Sequence, residues 1–576
     1  MAPILKTPAA IIFISSVFLM TACAPKYESM AGITSNYDNV REIAASEADN
    51  PLSPFISAIL AERDSDEVLA ASYYMRALEN DPENLFVAEK AFFQLVTAGQ
   101  IGRATEIAPD LADIKSIAPL SHLVLASNAL KVNDAAQVLY HSDAIKDTAI
   151  GYLFYPLMQA WGHAINGDGE SAIEILSDLN GNPVIISLAK AHEAYILDYL
   201  GEKDRAESAY KNLIESKNLT SLQPVASYGD FLYRLKREKE ARELFAREIK
   251  NNNNSLFLRR EAQRHMMGHG PALSVSTPKG AIAHFYYRMA TEGYRERPDL
   301  LTLFYGRLAE YLSPNSEDIK LLIGELLTKL KRPAAAARIY ATIPADSPAA
   351  KAAFLRRITA LQAAENYSAA EVLLSRELLN SPNDKRLLAM LADLYRVQDS
   401  CERAIPYYNQ IIAEFKSLER SQWFNFFARG SCYELEGNWS LGEPDLMLAL
   451  QLVPENAMVL NYLGYSWLTR NIKLNEARTL IEKAVSKEPQ NGSIVDSLGW
   501  VQYQTKDYLL AVETLEKAIR LSPGNSTISD HLGDAYWKVG RLREARFEWR
   551  HALATVEGED NINRIKLKMI YGLAEE

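Results

Sequence analysis

The chain has 576 residues, 48% of them hydrophobic and 23% charged, with a formal net charge of -11. These figures exclude wholesale disorder and leave no basic surplus for neutralising phosphates, so no nucleic-acid partner is expected. Length leaves two outcomes, several domains or an elongated repeat array.

Only Lys6 is charged ahead of an apolar run at residues 9–20, too short to span a bilayer. Residues 1–22 therefore read as a signal peptide. The run ends in Leu19-Met20-Thr21-Ala22-Cys23, which resembles the lipobox of bacterial lipoproteins, with Met20 where that family usually has Leu. The resemblance implies a diacylglycerol on the Cys23 thiol and, after cleavage, a further acyl chain such as palmitate on its amine. Several acyl chains anchor stably where one does not. Ala24, in place of an aspartate, implies a periplasm-facing outer-membrane location. A plain secretory signal cut near Ala22 is the alternative. Residues 23–53 are polar and weakly periodic, as in a flexible tether.

From residue 54 onward small residues recur. Ala58, Ala70, Tyr74, Ala77 and Pro82 open a pattern that fades through residues 54–267. Asn251–Asn254 and the Gly/Pro-rich residues 268–280 then predict a joint between two segments. His265 and His269 stand four apart beside it, but no Glu follows His265 and Gly268 would fray a helix, so they read as a loop rather than metal ligands. In residues 281–555 the frame returns at Gly324, Ala336 and Tyr340, then at Ala392, Ala404 and Tyr408. Cys401 and Cys432 read as small buried helix residues, with one disulfide as the alternative.

The period is clearest over residues 423–555. Gly430, Gly464, Gly499 and Gly533 follow at 34, 35 and 34 residues, and Ala511/Ala545 and Ala518/Ala552 repeat at 34. Small residues lie where two antiparallel helices must approach closely, and Pro523 closes the second helix. Residues 556–576 read as a solvated capping helix and loose tail, with Lys566 and Lys568 in water.

These positions resemble the tetratricopeptide repeat. The resemblance implies an all-α superhelical solenoid of helix-turn-helix units, roughly ten to twelve helix pairs, in two segments. Residues three before, one after and four after each glycine share a helix face. In tetratricopeptide proteins that face lines the groove, which nominates Phe427, Asn461, Tyr465, Asp496, Trp500, Tyr503, Asp530, Asp534 and Trp537 as an aromatic and acidic binding stripe. A carboxylate clamp is not expected, because Asp496 and Asp530 stand where it carries a base or amide.

No acid/base pair, nucleophile elbow, phosphate loop, metal cluster or cofactor motif is evident, so no enzyme is expected. The phrases Val459-Leu460-Asn461-Tyr462-Leu463-Gly464-Tyr465 and Asp496-Ser497-Leu498-Gly499-Trp500 resemble large tetratricopeptide lipoproteins of proteobacteria. LbcA-like members of that group bring a periplasmic carboxyl-terminal processing protease to cell-wall hydrolases. The resemblance implies a scaffold or adaptor whose partners are periplasmic proteins. A structural assembly factor for an envelope export or outer-membrane insertion machine is the alternative.

Overall fold

The computed structural model describes residues 53–179, 183–216, 219–271 and 273–573. The expected signal peptide, Cys23 and nearly all of the tether lie outside them. Regular structure among the described residues is helical: thirty α-helices and one short 3-10 turn, with no strand. None of these helices is long and apolar enough to cross a membrane. The chain divides into two compact units, one ending at Glu365 and one beginning at Asn366.

The first unit runs α1 Ser53–Arg63, α2 Glu67–Asn80, α3 Leu85–Thr97, α4 Ile101–Leu111, α5 Ala118–Val132, α6 Ala135–Asp143, α7 Gly151–Ile165, α8 Gly169–Ser177 and α9 Pro183–Tyr199. It continues through α10 Lys203–Glu215, α11 Gln223–Arg234, α12 Glu238–Asn251, α13 Leu256–Met266, α14 Pro278–Glu296, α15 Leu300–Leu312, α16 Glu317–Lys329, α17 Pro333–Tyr340 and α18 Ala350–Ala363. The second unit comprises α19 Tyr367–Asn380, α20 Lys385–Arg396, α21 Cys401–Ala413, α22 Trp423–Leu435, α23 Trp439–Leu452, α24 Ala457–Thr469, α25 Leu474–Lys487, α26 Gly492–Gln504, α27 Tyr508–Leu521, α28 Ser526–Lys538, α29 Leu542–Thr555 and α30 Glu559–Tyr571. Twenty-nine helices up to Thr555 make fourteen pairs and one odd helix, more than the ten to twelve pairs expected.

Two local devices set this rhythm. A proline stops the second helix of a pair, and two residues later an Asn or Asp caps the next: Asn84 after Pro82, Asp384 after Pro382, Asn456 after Pro454 and Asn525 after Pro523. Each cap side chain accepts a backbone N–H of the first turn, worth about 1 kcal/mol. Several of the turns between helices pass through a residue at positive φ, and Gly99, Asn133, Gly167 and Gly201 follow one another at 34 residues. Such a left-handed residue ends a helix and lets the next fold back.

The pair is then locked by close approach. A β-carbon on Gly499 would stand 2.6 Å from Leu515 Cγ on α27, and one on Gly533 2.5 Å from the Trp549 ring on α29. Ala511, Ala518, Ala545 and Ala552 are fully buried opposite them.

In the first unit, helices α14 and α15 lie across the inner faces of α3, α5 and α7. Phe304 packs on Phe92 and Phe93, and Phe154 on Phe285, Tyr286 and Tyr305. Ser127 Oγ and Tyr286 Oη share a hydrogen bond of 2.9 Å, and buried Arg307 donates through Nε to the Thr97 carbonyl at 2.9 Å. Farther along, Arg332 donates through Nη1 to Glu67 at 2.8 Å, both residues being at most 9% exposed.

These contacts correct the expected joint at residues 268–280, which lies inside the first unit. Leu273 and Val275 are buried, and a β-carbon on Gly280 would collide with the Ser274 carbonyl. Glycine here serves a packed turn entering α14, not a hinge. His265 stacks on Tyr233 with ring centroids 4.5 Å apart.

Cys401 and Cys432 are both buried and joined as a disulfide between α21 and α22, Cα atoms 5.0 Å apart, so the alternative reading of that pair holds.

Two outcomes follow from these locks. Glu67→Ala strands the Arg332 charge in the interior, so chemical denaturation should show the first unit losing about 3–5 kcal/mol. Reducing the disulfide, which closes 31 residues, should lower the second unit's stability by about 3 kcal/mol, read as a drop in melting temperature with dithiothreitol.

Candidate functional site

The candidate stripe lies on α22, α24, α26 and α28, the first helices of four successive pairs. Its nine residues meet different fates. Phe427 is 5% exposed and packs on Trp423, Phe424 and Tyr462, so it belongs to the core.

Asn461, Tyr465 and Asp496 line one open cavity of about 670 Å³. Glu434, Tyr462, Arg470, Ser493 and Thr527 also face it. Its charged side chains have partners within the unit: Arg470 donates to Glu434 at 2.6 Å, and both Asp496 oxygens lie 3.0–3.1 Å from His531 Nδ1. Asn461 lines the cavity, and its Oδ1 is buried with no hydrogen-bond partner. Burial, and then the Asp496 charge, push the Tyr465 hydroxyl up to about 12, which keeps it a neutral donor. The cavity thus offers neutral donors and acceptors beside aromatic rings, suited to polypeptide backbone and side chains.

Trp500 and Tyr503 are outside that lining. Trp500 is stacked between His531, at 4.0 Å, and Tyr503, at 4.7 Å, and Tyr503 meets Tyr508 edge-on. These rings cement α26 to α28.

The expected acidic channel is also corrected. Asp530 and Asp534 are 3% and 5% exposed. Arg564 and Lys568 donate to Asp530 at 2.7 and 2.8 Å; Lys568 also reaches Asp534 at 2.7 Å, and Trp549 Nε1 donates to Asp534 at 2.9 Å. Burial pushes the Asp534 carboxyl above the usual range, opposed by Lys568. Lys568, expected in water, has a side chain only 12% exposed. Trp537 packs on Trp549 and under the Arg546 guanidinium, and α30 ends beside it at Gly572.

Sequence reading missed α30 as the next rung, although the signal was present: Arg564 and Lys568 stand 34 residues after Asp530 and Asp534. It also missed a stripe in the first unit, where Phe93, Ser127, Trp161 and Tyr195 recur every 34 residues. Because Trp500 holds two helices together, Trp500→Ala should destabilise the second unit by about 2–4 kcal/mol in a denaturant melt.

The tetratricopeptide-repeat family model matches residues 470–526. TPR repeat-containing protein PA4667 of Pseudomonas aeruginosa is 37% identical over 78 residues, which are 14% of this chain and 13% of that relative's length. Among solved structures, a tetratricopeptide repeat protein from Parabacteroides merdae aligns with a TM-score of 0.37 and 14% identity, over 43% of this chain and 97% of its own. The APC/C hetero-tetramer Cut9–Hcn1 aligns with a TM-score of 0.36 and 13% identity, over 92% and 99%. Paired helices at a 34-residue rhythm, closed by small residues, thus make an all-helical chain in which residues 470–526 match the tetratricopeptide-repeat family pattern.

Proposed function

We propose that the chain is a non-catalytic scaffold that captures a partner polypeptide in the second unit and is held, through lipid on Cys23, at the periplasmic face of the outer membrane. The observation that carries the binding half is the open cavity at Asn461, Tyr465 and Asp496, since the corresponding face of the first unit is filled by α14 and α15. Aromatic rings beside unspent amide and hydroxyl groups give contact area at little entropic cost.

The export half rests on the lipobox-like residues 19–23 and draws support from the Cys401–Cys432 disulfide, because such bonds persist in oxidising compartments. The finer reading, an adaptor that brings a carboxyl-terminal processing protease to cell-wall hydrolases, rests on the resemblance of the repeat phrases. Holding protease and substrate together raises their effective concentration without any chemistry by the scaffold.

Capture tests both halves. Gentle crosslinking in membranes followed by purification should recover a protease with a hydrolase; recovery of secretin or barrel-assembly components in their place would favour an envelope assembly factor. Asn461→Ala with Tyr465→Ala should cut partner recovery at least tenfold with helicity unchanged, and undiminished recovery would remove the cavity as the site. Cys23→Ser should release the protein from membranes, and unchanged membrane association would remove the lipid anchor.

A further inference from the structure

The inner stripe of the first unit ends in a polar cluster that its covering helix leaves unneutralised. His192 on α9 is fully buried, and its Nδ1 accepts the Trp161 indole N–H at 2.9 Å. The proton of the neutral ring therefore sits on Nε2, which is buried with no acceptor. One turn on, the Tyr195 hydroxyl is buried with the Ser227 hydroxyl of α11 as its polar neighbour. Facing them on α14 are His284, 7% exposed, and Arg288 one turn later. Arg288 has no ion pair or hydrogen bond among the described residues.

Glu292 is the carboxylate that acts on Arg288, and none acts on either histidine. Arg288 is the one full charge acting on either histidine. Asp198, on α9, is engaged by Arg234 and Tyr210, and Glu292, on α14, by Arg295. The Trp161 bond makes the point geometrically: a proton on His192 Nδ1 needs the lone pair that the indole already uses. Charging the ring breaks that bond and sets a second cation beside Arg288.

We propose that the His192–His284–Arg288 cluster is an acid-sensitive latch, which holds α14 against the inner face of the first unit at neutral pH and releases it when the histidines take up protons. Burial, and then the Arg288 charge, keep both rings neutral, with His192 pushed down to about 3 and His284 well below its ordinary range. A histidine depressed in the closed form favours closure fully above about pH 6.5 and loses that advantage as pH falls toward its closed-form value. Each histidine weakens closure by about tenfold per pH unit over that window, and the pair by about a hundredfold. Release uncovers Trp161 and Tyr195, the inner residues of α7 and α9.

The test is amide hydrogen exchange of the full chain from pH 7.5 to 4.5, corrected for intrinsic rates. Protection of α14 should fall at least tenfold below pH 6 while α26–α29 stay protected. Arg288→Met, which removes an unpaired cation, and His284→Leu should each move that transition at least half a pH unit lower. Should His284→Leu fail to fold, Arg288→Met alone decides. Unchanged protection of α14 down to pH 4.5, simultaneous loss across the whole chain, or a midpoint unmoved in Arg288→Met overturns the latch. So does a midpoint that moves only with His141→Gln, which alters the separate His122–His141 contact on α5 and α6.

Discussion

The close approach of the two helices in each pair is the constraint on which the rest of this protein is built. Gly499 against Leu515 and Gly533 against Trp549 leave no room for a β-carbon, so the helices meet almost backbone to side chain. Once a pair is locked that tightly, the angle between its helices is set by a few atoms. At four junctions the following pair is then placed through the proline stop and the Asn or Asp cap. The result is a stack in which one helix of every pair presents the same face at the same interval.

The two units use that face in opposite ways. In the first, Phe93, Ser127, Trp161 and Tyr195 meet the chain itself, through Phe304, Tyr286 and the buried groups around Arg288. In the second, part of the face stays open between Glu434 and Thr527. A stack of helices thus supplies a surface, and whether that surface becomes core or binding site depends on which later helices lie over it.

Charge follows the same logic. Buried Asp530 and Asp534 share Lys568, Asp445 takes two bonds from Arg429, and Glu67 takes Arg332. Each carboxylate sits where its desolvation is offset by a cation from a neighbouring helix, because an uncompensated buried charge costs several kcal/mol. The cluster around Arg288 departs from this pattern, which is why it stands out as responsive to protons.

Helix type, the 34-residue rhythm over residues 423–555 and the faces of α22, α24, α26 and α28 were legible in the chain alone, since glycine, alanine and proline mark close approach and helix ends directly. The pairs between Pro82 and Asn251 were not, because residues such as Phe92 and Ala126 stand at the glycine's place in the repeat and carry no such mark. The nine stripe residues share offsets from the repeat glycines, yet their roles were decided by partners distant in sequence. His531 takes Asp496, α30 takes Asp530 and Asp534, and Trp500 is spent in a stack, leaving Asn461, Tyr465 and Asp496 at the cavity. Periodicity is a local property and therefore readable from spacing. Occupancy of a face, the border at Glu365 and the pairing of buried charges arise from contacts between residues tens to hundreds of positions apart, which only the folded chain brings together.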